Sequence, residues 1–302
     1  MARLAQGAER LGFSGLFMCD HLVNQNFAKL PCLDPWVALG ALASKTEKLT
    51  LGTLVTPVGF RYPSLVAKMG ASLDMISNGR FQLSLGAGWN ETEYKAYGIP
   101  FPSVGQRVRQ LREALQIIRL MWTEGKPSFK GKYYGISEAW SSPKPMRTPS
   151  KIWVGGRGEK GILKIVAELA DGWNALGASP EEYDHLVKVL REHCEKAGRR
   201  FESIERSYYG WFLAGRSEEE FQRLFEKHYA PFKRDDETMR QLMDRVRQGG
   251  RAMVGTVDQA IERIGEYDKL GVSYLILYFP DRDPVGSMRL FSEKIFPLFP
   301  QE

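Results

Sequence analysis

Apolar residues along the chain fall into two textures that take turns. The opening segment, MARLAQGAERLGF, places Leu4, Ala8 and Leu11 at helical spacing and breaks at Gly12. SGLFMCDHL follows, a short apolar run that ends abruptly in charge, as a strand buried on both faces does. The alternation then recurs. Helix PWVALGALASKTEK leads to strand LTLGTLV, YPSLVAKMGASLDMIS to RFQLSLGAG, and GQRVRQLREALQIIRLMW to KIWVGG. Helix KGILKIVAELA precedes strand DGWNALG, and PEEYDHLVKVLREHCEKAG precedes IERSYYGWFLAG. A longer helical stretch from Ser217 to about Leu270 leads to the strand SYLILYFP, and GSMRLFSEKIFPLF closes the chain as a helix.

Apolar strands alternating with amphipathic helices at roughly 30 residues per unit predict an α/β protein with a parallel sheet. A doubly wound sheet lacks its usual support here, because no G-x-G-x-x-G turn follows the first strand. The favoured reading is a TIM (β/α)8 barrel, a single domain over residues 1–302. Its strand count is seven, one short of closure, and the member not seen is the one that precedes the opening helix. Either the natural protein begins upstream, or the barrel is incompletely closed. On both readings SGLFMC pairs with LTLGTLV on one side and lacks a partner on the other. Two interruptions stand out. SFKGKYYGISEAWSSPKP, within about 123–149, reads as an inserted β-hairpin and loop. The charged helical stretch at about 216–250, stopped by Gly249 and Gly250, reads as a lid or interface.

Composition narrows the function. Hydrophobic residues at 43% and charged residues at 26% exclude a disordered chain, and no apolar run approaches the roughly 20 residues that span a bilayer. No signal-peptide pattern opens the chain. Cys19, Cys32 and Cys194 are too few and too scattered for a disulfide framework or a zinc site, which points to a cytoplasmic protein. Four histidines, His21, His185, His193 and His228, leave little material for a metal centre, and no metal is expected. The formal charge of +6 is spread along helices, as with Arg107, Arg109 and Arg112 beside Glu113, so neither nucleic acid nor membrane is expected as a partner.

In a barrel the reacting groups lie at the C-terminal ends of the strands. Asp20 and His21 stand at one such end, and His21 is the only histidine so placed. The pair reads either as a turn or cap after the strand, or as a titratable couple in which Asp20 holds the His21 imidazole in one tautomer. The GGRGEKG segment, with Gly155, Gly156, Arg157 and Gly158, offers amides to an anion at a helix start; it equally reads as an ordinary strand-to-helix turn. In LSLGAGWNETEY the glycines let a planar ligand approach the backbone, and Asn90 with Glu93 has the spacing of a capping box.

These pieces, in this order, resemble the bacterial luciferase-like family of flavin and deazaflavin oxidoreductases. The resemblance runs through GFSGLFMCDHL, then DPWVALGALASKTEKLTLGTLVTPVGFRYPSLVAKMGASLDMISNGRFQLSLGAGWNETEYKAYGIPFP. It continues in KGKYYGISEAWSSPKPMRTPSKIWVGGRGEKGILKIVAELADGWNA and VGTVDQAIERIGEYDKLGVSYLILYF, and is weak over about 200–250. The YGIPFP, KYY and PKP signatures resemble most the branch assigned to coenzyme F420. The resemblance implies a TIM barrel of the luciferase-like type, commonly a homodimer, with the cofactor ring at the C-terminal mouth. It implies a bulge with a non-proline cis peptide within Thr53, Leu54, Val55 and Thr56, pressed against the ring. Gly86, Ala87, Gly88, Trp89 and Asn90 would line the cofactor, and Gly155, Gly156, Arg157 and Gly158 would hold its phosphate. Asp20 and His21 match the Asp-His pair that the family's sugar-phosphate dehydrogenases use. Those enzymes carry an acid directly after the glycine turn, where this chain has Trp89, so their substrate does not transfer; Glu91 is the nearby acid. The expected activity is hydride transfer between reduced F420 and an unsaturated or carbonyl small molecule, with His21 moving the proton. FMN-dependent monooxygenation is the alternative, and a non-catalytic flavin-binding protein the second.

Overall fold

The computed structural model describes residues 1–24, 31–147, 150–249, 252–281 and 283–299. The opening helix α1 (Ala2–Arg10) leads to strand β1 (Gly15–Met18). Helix α2 (Pro35–Ala43) starts where the Asp34 carboxylate caps the amides of Trp36 and Val37, with Pro35 in the first turn. Strands β2 (Thr50–Thr53) and β3 (Thr56–Pro57) flank a two-residue break and are followed by α3 (Pro63–Ile76) and β4 (Phe81–Gly86). A short helix, α4 (Glu91–Ala96), starts at Asn90, where the Asn90–Glu93 spacing has the form of a helix start. The long helix α5 (Val104–Thr123) is capped by Ser103 and buries Leu111, Ala114, Leu115, Ile118, Met121 and Trp122, one stripe at helical spacing. Then comes the expected hairpin, β5 (Phe129–Lys130) antiparallel to β6 (Gly135–Ile136).

Strand β7 (Ile152–Gly155), helix α6 (Ile162–Leu169), strand β8 (Gly172–Leu176) and helix α7 (Pro180–Lys196) follow in strict alternation. Strand β9 (Glu205–Gly215) is the longest. The stretch read as helical from Ser217 to Leu270 is in fact α8 (Glu218–Tyr229), α9 (Met239–Gln248), β10 (Ala252–Thr256) and α10 (Val257–Lys269). Gly249 caps α9 as expected, while Gly250 lies outside the described residues. The strand escaped the pattern because AMVGT is a five-residue apolar run whose Thr256 at once caps the next helix through a Thr256–Gln259 capping box. Strand β11 (Tyr274–Tyr278) and helix α11 (Val285–Lys294) end the fold.

All pairings in the main nine-stranded sheet are parallel, in the order β1-β2-β4-β7-β8-β9, with both β10 and β11 on β9 and β3 on β4. SGLFMC does pair with LTLGTLV, Gly15 to Met18 facing Thr50 to Thr53. Among the described residues β1 has no second strand partner, and β11 meets β1 through side chains: Ser14 Oγ lies 3.2 Å from the Tyr274 hydroxyl, and the Phe17 and Tyr274 rings are 5.8 Å apart. The largest core lies between sheet and helices. A second, under α8 and α9, joins Leu213, Phe221, Phe225, Tyr229 and Leu242. The third lies on the opposite sheet face, where Leu54, Trp153 and Ile276 pack with Phe17, Val55, Tyr209 and Tyr274. The C-terminal ends of the strands open above that third core.

Candidate active site

At the end of β1 the chain bends, and the two titratable residues there part company. His21 Nδ1 lies 2.9 Å from Glu93 Oε2. The Glu93 carboxylate is 1% exposed, and its other oxygen accepts from the amides of Leu22 and Val23, each at 3.3 Å. A carboxylate so enclosed has to be hydrogen-bonded, and the three N–H groups of residues 21–23 supply the partners. The expected capping box is therefore not what Glu93 serves: the Asn90 side chain caps nothing, and the acid is drawn inward to the imidazole. That contact orients the ring, with Nδ1 toward the carboxylate.

Asp20, expected to orient the imidazole, is spent elsewhere. It is 1% exposed, and its Oδ2 accepts from Arg61 Nη1 at 2.7 Å and Trp36 Nε1 at 3.1 Å. Arg61 also reaches Asp34 Oδ2 at 2.6 Å, which ties the end of β1 to the start of α2 and to the loop after β3. Burial pushes the Asp20 carboxyl up, with Arg61 opposing. Its role here is to fix the strand end from which His21 projects. Arg61 was not legible beforehand, since nothing local marks an arginine whose partners are 41 and 27 residues away.

The bulge falls where expected. Between β2 and β3 the Leu54–Val55 peptide is cis, with Leu54 N donating to Met18 O and Val58 N to Gly86 O. Thr53 Oγ1 donates to Ser84 O at 3.1 Å. Val55 settles against two glycines: a Cβ at Gly86 would lie 2.5 Å from one of its methyls, and a Cβ at Gly155 2.7 Å from the other. Gly86, Gly155 and the bulge thus form one surface that no other residue type would leave open. Gly88 turns the chain at φ +78°, and Trp89, 66% exposed, stands edge-on to His21 at 6.1 Å.

The GGRG segment divides in its roles. Gly156 N already donates to Asn174 O at 3.1 Å, and Arg157 is held by Glu182 Oε2 at 3.1 Å. The amides of residues 157–161, by contrast, meet no acceptor among the described residues. Unengaged N–H groups ahead of a helix start are the donors that an anion takes. The structure therefore brings together Val55, Gly86 and Gly155, and separately His21, Glu93 and Trp89; Arg157, two residues past the end of β7, is paired with Glu182. Among the described residues no three His, Cys, Asp or Glu side chains converge as a metal site, and no helix is long and apolar enough to cross a membrane.

The chain is 28% identical to the F420-dependent glucose-6-phosphate dehydrogenase of Microbacterium testaceum, over 96% of this chain and 90% of that one. Identity to the enzyme of the same name from Nakamurella multipartita is also 28%, over 98% and 91%. Among solved structures, the fold superposes on coenzyme F420-dependent tetrahydromethanopterin reductase from Methanopyrus kandleri with a TM-score of 0.81 at 22% identity, covering 99% of this chain and 95% of that one. It superposes on the EDTA monooxygenase of Chelativorans sp. with a TM-score of 0.82 at 18% identity, covering 100% and 87%. The architecture is thus the luciferase-like TIM-barrel type. Residues 1–274 match the luciferase-like monooxygenase family model, and the chain belongs to that family.

Proposed function

We propose that the protein is an F420-dependent oxidoreductase that transfers a hydride between the reduced deazaflavin and an unsaturated or carbonyl small molecule. The observation that carries this reading is the His21–Glu93 couple at the strand ends, an imidazole held by a buried carboxylate, together with the bulge that Gly86 and Gly155 accommodate. The relatives of similar length, named as F420-dependent, favour the deazaflavin over FMN.

When bound, the deazaflavin supplies or accepts the hydride. The residues present fit it: Gly86 and Gly155 make room for the Val55 side chain, so that the bulge can sit against a flat ring with Leu54, Gly88, Trp89 and Asn90 around it, and the amides of 157–161 would take a phosphate. Ala87, Thr53 and Thr56 border that bulge from the ends of β4, β2 and β3. Protonated His21 gives a proton from Nε2 to the substrate oxygen or carbon as the hydride arrives, and Glu93 holds the imidazole and balances its charge. Asp20 and Arg61 keep the strand end in place.

Helix α2 is apolar around its whole circumference, and Val37 on it is 76% exposed, with Leu65, Met75 and Ile76 exposed on α3, which packs beside it. Such a face needs cover, and we assign it to a second copy in a homodimer. Three unpaired cysteines accord with a cytoplasmic enzyme.

The test is a titration of purified protein with F420 and FMN in both redox states, followed by single turnover of His21→Ala. Tight F420 binding, with a chemical step slowed roughly 10²- to 10⁴-fold in the variant, supports the reading. Tighter FMN binding with oxygen uptake replaces it by flavin monooxygenation.

A further inference from the structure

The wall above the proposed ring is built from side chains that the activity alone does not explain. Side chains alternate along a strand, and on β9 Tyr208 and Phe212 belong to the outer core, which turns Tyr209 to the third core and Trp211, on the same side two residues on, against the core under α8 and α9. On β1 Phe17 is inside, stacked on Trp153, so Cys19 two residues on faces the same way. Register places Leu176 of β8 beside Tyr209, and Tyr278 of β11 beside Trp211, their rings 5.1 Å apart. Phe232, after α8, adds an edge at 5.9 Å from Trp211.

These six side chains carry no charge. Tyr278 is 46% exposed and Leu176 is exposed as well, though both sit at strand ends where a barrel presents its ligand site. Cys19 is accessible, yet crowded enough that burial pushes its thiol up, and it faces the Tyr209 and Tyr278 hydroxyls. Burial pushes both phenols up too, so they offer neutral donors at working pH.

We propose that this wall selects an uncharged ketone or aldehyde with an aromatic or cyclic apolar body, and selects against phosphorylated substrates. The inference rests on the deazaflavin reading for its chemistry. The carbonyl carbon takes a hydride from the reduced deazaflavin, the C=O π pair moves to oxygen, and oxygen takes the proton from His21 Nε2. The products are an alcohol and the oxidised deazaflavin. A phosphorylated sugar would have to leave its hydration among Tyr209, Trp211 and Tyr278, uncharged side chains that offer a phosphate no cation.

The test is calorimetric titration with acetophenone and with glucose 6-phosphate, on F420-loaded and cofactor-free protein, for the wild type, Tyr278→Ala and Tyr278→Phe. The ketone should bind at least about tenfold more tightly than the sugar phosphate. Tyr278→Ala should weaken ketone binding about 3- to 10-fold, the worth of an aromatic contact, while Tyr278→Phe keeps it and both keep wild-type F420 affinity. Tighter glucose 6-phosphate binding, or ketone affinity indifferent to Tyr278→Ala, overturns the inference. If F420 itself does not bind, the deazaflavin reading falls and the cofactor-free titration decides the wall: ketone binding that depends on Tyr278 upholds it, and its absence overturns it.

Discussion

Glu93 Oε2 lies 2.9 Å from Nδ1 of His21, across 72 residues of sequence, and the same carboxylate accepts the amides of the two residues that follow the histidine. One acid therefore sets both the path of the chain after β1 and the orientation of the imidazole. Glu93→Gln keeps an oxygen for the amides but loses the charge opposite the ring. Single-turnover hydride transfer should slow about 10- to 100-fold, as for partners that orient an active histidine, with F420 affinity unchanged. An unaltered rate would leave Glu93 only a structural anchor.

The phosphate cradle separates a charge from a backbone effect. Arg157 is exposed and engaged with Glu182, so Arg157→Ala should change F420 affinity by less than about threefold. Gly156 sits at φ +139° with Ile162 3.3 Å from where a Cβ would be, and Gly156→Val should shift the cradle and weaken F420 binding more than about tenfold. Equilibrium titration of both variants, with circular dichroism to confirm folding, checks the contrast; the reverse order would place the phosphate elsewhere.

What could be read from the chain follows from distance along it. The alternation of strand and helix, the inserted hairpin and the bulge at Leu54–Val55 depend on local pattern or on a contiguous family signature, and the structure has them where they were expected. The partner of His21 does not. Glu93 stands three residues after Asn90, a spacing with a local explanation, and only the fold shows that α4 turns the acid to β1 instead. Asp20 adjoins His21 in sequence, yet its carboxylate meets Trp36 and Arg61. Strand β10 was hidden for another reason: five residues are too few for a period to declare itself between two capped helices.

A pH dependence follows from Glu9. It lies on α1, and its carboxylate accepts the amides of Glu47, Lys48 and Leu49 just ahead of β2. Burial works to raise its pKa, but the three amides and Arg80 outweigh it and hold it below the usual carboxylate value. A depressed folded-state pKa means that the unfolded chain binds the proton more readily, so this contribution is present above about pH 4.5 and is lost as pH falls through the lower folded value. Glu9→Gln should cost about 1–2 kcal/mol at pH 7, in the range for hydrogen bonds to a charged group. The difference should shrink towards zero below about pH 4. Urea denaturation of both proteins across pH 3–7 measures it, and a pH-independent gap would contradict the linkage.

Val55 and Gly86 provide the sharpest test of the bulge. A methyl on Gly86 would stand 2.5 Å from a Val55 methyl, closer than two carbons can approach, so Gly86→Ala has to displace Val55 or the strand. Overpacking of this kind costs about 1–3 kcal/mol, and the displaced side chain should intrude on the ring site and lower F420 affinity about tenfold. Val55→Ala removes the obstructing methyls and should by itself be mild. Combined with Gly86→Ala it should recover most of the lost stability and binding, giving a favourable coupling between the two sites of more than about 1 kcal/mol in a double-mutant cycle. Denaturation and F420 titration of the four proteins yield that coupling directly. Additive effects would mean that Val55 is not what Gly86 accommodates, and that the ring lies against a different part of the mouth.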